Sequence, residues 1–218
     1  VAGAAREAGA GGGDAIHYFH SLSSPWAYLG GPRLAEIAAR YGVPIICRPI
    51  TVLTENGGVL LRTRPDARQR YHAVELDRWR RHLGLPLNLT PRHYPTDPKP
   101  AALVVIAAQR AGHDAPSLSH AFLRALWAEE EDTKDAAVLA RIASTLGLPG
   151  EALVDASLAP EVEAEWQANR AAAIAGGMFG TPNYVWRGVI HWGQDRLDFL
   201  ERMIAIDTAP AIARGRAW

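Results

Sequence analysis

Ser23, Ser24 and Pro25 stand at a junction between two different patterns. Before them lies a short aromatic and β-friendly run with Ile16, Tyr18 and Phe19. After them, Leu34, Ile37, Ala38 and Tyr41 recur at i, i+3, i+4 and i+7, the spacing of one helix face. Read as strand, cap and helix, the stretch places the Ser24 hydroxyl at a helix N-terminus. Proline suits the first helical turn because the N–H it lacks would be unpaired there. Serine suits the cap because its oxygen accepts from a backbone N–H that the helix leaves free. The same helix end carries a partial positive charge of about half an elementary charge, which favours an anion docked against it. The chemistry on offer is therefore a hydroxyl donor and a positive dipole end at one point. A plain structural cap would need the same two residues.

Other reactive side chains are sparse. Cys47 is the single cysteine of the 218 residues, so an intrachain disulfide, a Cys-x-x-Cys redox pair and a Cys-rich zinc site are excluded. Flanked by Ile46 and Arg48, it reads as a buried, inert thiol. The eight histidines show no spacing that marks a catalytic triad or a metal site; His17 and His20 lie on or beside the first strand. Lys+Arg and Asp+Glu are both 23, a balance that argues against a nucleic-acid or polyanion surface as the main function. Hydrophobic residues make up 48% of the chain, enough for a substantial core. Apolar runs stay short of the roughly 20 residues that a membrane span needs. The stretch VAGAAREAGAGGGD lacks the apolar centre of a signal peptide and reads as a mobile tail over 1–14. A cytoplasmic location follows as the expectation.

The elements that must carry Ser24 follow in order. A strand at about 15–21, a helix from about 25 to 41 and a strand at 45–48 form a βαβ unit, so the strands should be parallel. Gly30, Gly31 and Pro32 predict a kink in that helix. Residues 49–66 read as a site-covering loop bearing Arg62 and Arg64. From 67 to 176 the pattern is helical throughout, with helices around Tyr71–Leu83, Leu103–Arg110, Leu118–Glu129, Val138–Leu146 and Val162–Ala173. The character changes at Gly176. A glycine-rich turn ends in Pro182, two short β runs joined by Arg187-Gly188 read as a hairpin, and Trp192-Gly193-Gln194-Asp195 opens a last helix. Residues 207–218 read as a C-terminal tail.

This order is βαβ, helical insert, Gly-x-Pro, ββα: an α/β thioredoxin-like fold split by an all-α insertion. It resembles the DsbA-like group, and within it the branch of 2-hydroxychromene-2-carboxylate isomerases and kappa-class glutathione transferases. Three motifs carry the resemblance, which covers nearly the whole chain beyond residue 14. In SLSSPWAYL (21–29), Ser24 matches the serine that the isomerases place where redox relatives have the first cysteine. In FGTP (179–182), Pro182 matches a cis proline, and Thr181 the residue whose backbone pairs with the cysteinyl part of glutathione. In WGQDRLDFLE (192–201), Trp192, Gly193, Gln194 and Asp195 match the turn that holds the γ-glutamyl end.

What the resemblance implies is a glutathione-dependent cis–trans isomerase of an unsaturated aromatic or enone carboxylate. Ser24 would be the catalytic hydroxyl, steadying the thiolate rather than attacking. A kappa-like transferase or peroxidase, or a thioredoxin-like binding module without turnover, are the alternatives. The implied partners are a small-molecule substrate and a second copy in a homodimer, not a nucleic acid or a membrane. Arg62, Arg64 and Arg92 are candidates to pair with a substrate carboxylate, because a guanidinium can bind one through two hydrogen bonds. Trp127 and the Pro-rich stretch 91–100 fall where the family builds its second-substrate pocket, although core packing is the better reading of Trp127.

Overall fold

The structure, a computed structural model, describes residues 14–209. β1 (Ile16–His20), α1 (Pro25–Tyr41) and β2 (Ile45–Pro49) form the βαβ unit, with Ile16 beside Ile45 and His20 beside Pro49 in parallel register. β3 (Asn183–Trp186) pairs antiparallel with β1, and β4 (Val189–Trp192) antiparallel with β3, giving the sheet order β2-β1-β3-β4. Arg187 and Gly188 join β3 to β4 with φ of 47° and 81°. Two positive φ values in a two-residue loop match the right-handed twist of the strands they connect.

Side-chain alternation gives the sheet two different faces. Ile16, Tyr18, His20 and Cys47 point to the side covered by α1, α3 (Lys99–Arg110) and α4 (Ala115–Ala128). His17, Phe19 and Arg48 point to the side covered by α7 (Pro160–Ala175) and by Ile50 and Leu53. Between β2 and β3 the chain also builds α2 (Asp66–Leu83), α5 (Ala136–Thr145) and α6 (Gly150–Ala156). The insertion therefore holds one more helix than the sequence pattern predicts. Gly147 and Pro149 read as a stop, but they lead directly into the seven residues of α6. Its first residue, Gly150, lies so close to the Ala140 carbonyl that an added Cβ would come within 1.9 Å of that oxygen.

α1 is continuous from Pro25 to Tyr41 with Pro32 inside it, so the expected kink does not divide it. Gly30 allows a close approach instead. A Cβ there would lie 2.5 Å from the Tyr184 hydroxyl and 2.9 Å from the Gln194 Cβ. The last helix, α8 (Leu197–Thr208), starts later than Asp195, which sits in a short 3-10 turn over Gln194–Arg196. Leu197, Leu200 and Ile204 are buried as the periodicity requires, and Met203 is partly buried. α8 runs to Thr208, two residues into the stretch read as a tail. Within it Asp207 accepts from Trp186 Nε1 at 2.7 Å. The tail readings at 1–13 and 210–218 lie outside the described residues. Among the described residues no helix is long and apolar enough to cross a membrane.

Candidate functional site

Strand register gathers the site. Phe19 faces Asn183 across β1 and β3, so the chain leaving β1 runs beside the peptide entering β3. Asn183 also faces Trp192, which brings the end of β4 to the same end of the sheet. Residues 21–24, 180–182 and 192–195, far apart in sequence, thus lie at the same end of the sheet as the N-terminus of α1.

Ser24 is the N-cap, with extended backbone (φ −84°, ψ 119°) and 8% of its surface exposed. Its Oγ accepts from the Ala27 N–H at 3.3 Å and its C=O from the Tyr28 N–H at 3.1 Å. Capping uses an oxygen lone pair, not the hydroxyl proton. Among the described residues that proton has no acceptor, so it can be donated outward. The first turn of α1 carries no acidic residue, and the positive end of the helix is not neutralised from within. Ser21 Oγ and Ser23 Oγ lie 3.0 Å apart beside it.

The Thr181–Pro182 bond is cis, as the FGTP motif implies. Pro182 C=O accepts from Gly193 N–H at 2.9 Å, tying the two family-like turns together. Asn183 Nδ2 donates to Gly180 C=O at 2.6 Å. Thr181 itself keeps both backbone groups free: neither its N–H nor its C=O meets a partner among the described residues. A free donor and acceptor on one residue form an edge that an extended peptide can pair with.

The four residues of the third motif are placed differently from one another. Trp192 is half exposed and stands edge-on to Phe179, ring centroids 4.5 Å apart. Gly193 has φ 93°, and a Cβ would come within 2.5 Å of Asp195 Oδ1. Gln194 is buried and turned inward, where its Oε1 accepts from Arg33 Nη1 at 3.3 Å. Asp195 is exposed and pairs with Arg196 at 2.8 Å. Within this motif Asp195 offers a carboxylate outward, while Gln194 fastens the turn to α1.

The loop after β2 covers the 178–180 turn. Asn56 Nδ2 donates to Ile174 C=O at 2.9 Å and to Met178 C=O at 2.8 Å. Gly58 lies so close to the Phe179 carbonyl that a Cβ there would come within 2.2 Å. Of the arginines proposed to meet a substrate, Arg64 turns back and donates to Val59 C=O through Nε and Nη2. Arg62 is exposed with Tyr94 in its field, and Arg92 is exposed, its backbone N–H held by Glu130 at 2.8 Å. Trp127 is 2% exposed, tilted against Tyr94 at 4.8 Å, with its indole N–H unpartnered. It behaves as core.

One contact has no signal in the sequence. Trp26 Nε1 donates to His72 Nε2 at 3.0 Å, joining the first turn of α1 to α2. Burial, and then the Arg64 charge, hold His72 below the usual histidine range, which keeps Nε2 free to accept. Cys47 is fully buried, and burial pushes its thiol far above the ordinary range, so it takes no part in this chemistry. Among the described residues no group of three His, Cys, Asp or Glu is placed to hold a metal.

The family model for the DSBA-like thioredoxin domain matches residues 15–205. The chain belongs to the DsbA-like thioredoxin domain family. Among DsbA-like relatives, it is 29% identical over 196 residues to a 2-hydroxychromene-2-carboxylate isomerase of Sphingobium xenophagum, covering 85% of this chain and 95% of that one. A solved 2-hydroxychromene-2-carboxylate isomerase superposes with a TM-score of 0.73 at 23% identity, over 87% of this chain and 94% of the other. The cytosolic disulfide reductase DsbM of Pseudomonas aeruginosa, solved with GSH, superposes with a TM-score of 0.65 at 20% identity, over 87% and 98%. These two structures share the DsbA-like fold with this chain.

Proposed function

We propose that this protein is a glutathione-dependent cis–trans isomerase acting on an unsaturated aromatic or enone carboxylate. The observation that carries the reading is the Ser24 hydroxyl. It caps α1 through its oxygen and keeps its proton free, at the end of the sheet where the backbone of Thr181 is also unpaired. The groups present fit glutathione: an O–H donor and an uncompensated helix end for a thiolate, a free peptide edge for its cysteinyl unit, and the Asp195 carboxylate as acceptor for its ammonium. When bound, glutathione would supply a thiolate nucleophile that adds to a conjugated double bond and leaves again after rotation.

The residues of this chain have supporting tasks. The Ser24 O–H and the unpaired Trp26 N–H in the first turn of α1 would hold the sulfur as its anion, because hydrogen bonds to the charged form lower a thiol pKa. Thr181 fixes the peptide in extended form. Phe179 and Trp192 offer a half-exposed aromatic wall next to it. The 29% identical isomerase relative supports the reaction class. With Ser24 where redox relatives carry cysteine, and Cys47 buried, dithiol exchange has no residues to run on. A small-molecule substrate, a homodimer and a cytoplasmic setting complete the proposal.

Incubation with glutathione and a chromene-2-carboxylate, in parallel with 1-chloro-2,4-dinitrobenzene, tests it. Glutathione-dependent isomerisation without net thiol consumption supports the reading. Conjugation alone would make the protein a kappa-like transferase, and neither activity would make it a binding module.

A further inference from the structure

On the face of the sheet away from α1, a half-buried guanidinium lies among donors with no anion to meet. Arg48 Nε donates to His17 Nδ1 at 3.0 Å, and Nη1 donates to Asn169 Oδ1 on α7 at 3.2 Å. Arg48 makes no ion pair among the described residues, and its cation stacks over the Phe19 ring at 5.7 Å. Glu165, one turn before Asn169, is the carboxylate whose field reaches Arg48, but it is held by Arg110 at 3.0 Å. Asn169 is 1% exposed, and its Nδ2 is buried without a partner.

The hydrogen bonds fix the orientation of each group. Asn169 must present Oδ1 to the guanidinium, because its amide nitrogen would set donor against donor. Nδ2, on the same amide carbon, is therefore the group left unpaired. His17 accepts at Nδ1 and so holds the guanidinium in place, while its Nε2, on the far side of the imidazole ring, points away from it. Arg48 Nη2 and Asn169 Nδ2 are two donors with no acceptor among the described residues. A buried amide N–H without a partner is costly, and a half-buried cation without a counter-charge adds to that cost. An oxyanion would satisfy both groups.

We propose that Arg48 and Asn169, with His17 orienting the guanidinium, form a binding site for a small oxyanion, a carboxylate or phosphate group, separate from the site at Ser24. A guanidinium edge with an adjacent amide N–H suits the two oxygens of such a group. The site joins β1 and β2 to α7, so its ligand stabilises the junction between the sheet and the insertion.

Thermal unfolding of the full chain tests this, with phosphate, acetate and chloride compared at equal ionic strength and neutral pH. Phosphate or acetate should raise the midpoint saturably, on the order of 3 °C at ten times the dissociation constant, while chloride should not. A response to acetate assigns the site to carboxylates, and a response to phosphate alone assigns it to phosphoryl groups. Arg48→Met should abolish the response. Asn169→Asp supplies the missing anion from within, so it should fold with a higher starting midpoint and also lose the response. Ser24→Ala should keep it, which separates this site from the proposed glutathione site. No anion-specific rise in the wild type, or a rise that persists in both Arg48→Met and Asn169→Asp, overturns the proposal.

Discussion

Trp26 Nε1 donates to His72 Nε2 across 3.0 Å, and the two rings meet edge-on with centroids 5.4 Å apart. Trp26 lies two residues past Ser24 and His72 lies on α2, so this bond ties the helical insertion to the helix end that carries the proposed chemistry. His72→Leu should destabilise the protein by about 1 kcal/mol, the net worth of a part-buried hydrogen bond. His72→Gln, which returns an acceptor, should recover most of it. Denaturant unfolding of the two variants at pH 7.5 decides the matter, and equal stability of His72→Leu and wild type would remove the tie.

His20 offers a pH test. Its ring is fully buried, with Nδ1 donating to Tyr18 C=O at 3.0 Å and Nε2 accepting from Ser119 Oγ at 2.6 Å. Burial lowers its pKa to about 4, against the raising effect of the Tyr18 carbonyl. With a folded pKa below the unfolded one, the unfolded chain takes up the proton first as the pH falls. Stability is full above about pH 6.5 and is lost down to about pH 4, by on the order of 3 kcal/mol in all. His17, His72, His120 and His191 shift the same way, so the comparison must be differential. His20→Gln should unfold with a shallower dependence over this window than wild type. Superimposable slopes would mean that His20 does not titrate as its burial requires.

Cys47 should stay unmodified in the folded protein. Its backbone is bracketed by Gln109, which accepts from Cys47 N–H at 2.7 Å and donates to its C=O at 3.0 Å, and its side chain is 1% exposed. An aromatic disulfide reagent at pH 8 should release no chromophore until denaturant is added, then one equivalent per chain. Rapid labelling of the native protein would place the thiol in the chemistry after all.

Asp195→Ala should weaken glutathione binding by about 1.5–3 kcal/mol, the range for a hydrogen bond to a charged group. The partner it has in this structure is the neighbouring Arg196, and an exposed pair of that kind is worth about 0–1 kcal/mol, so fold stability should change little. Calorimetry giving unchanged affinity would move the γ-glutamyl end elsewhere.

Much of this was legible in the chain because the deciding signals are local. The Ser-Pro cap, the apolar face of α1, the Arg187-Gly188 turn and the FGTP stretch each sit within a few residues. Their meeting at one end of the sheet follows from βαβ connection and hairpin pairing. α6 escaped because seven residues hold too few repeats to show a period, and Gly150 there serves close packing against α5 rather than termination. Gln194 escaped in another sense. Its position in the WGQD motif implies a ligand contact by resemblance, yet burial against α1 turns its side chain toward Arg33. His72, Asn56 and Asn169 lie far in sequence from the groups they hold, and their roles exist only once the helices are docked.

The central claim is that Ser24 steadies a thiolate and is more than a cap. Ser24→Ala should fold, lose about 1 kcal/mol of stability and still bind glutathione. It removes a hydrogen bond to the charged sulfur, so the pKa of the bound thiol should rise and isomerisation near neutral pH should slow. The direct measurement is the ultraviolet thiolate absorbance of bound glutathione, titrated against pH in wild type and Ser24→Ala. The account predicts a titration displaced to higher pH in the variant. Coincident titrations with unchanged turnover would contradict it and leave Ser24 as a helix cap alone.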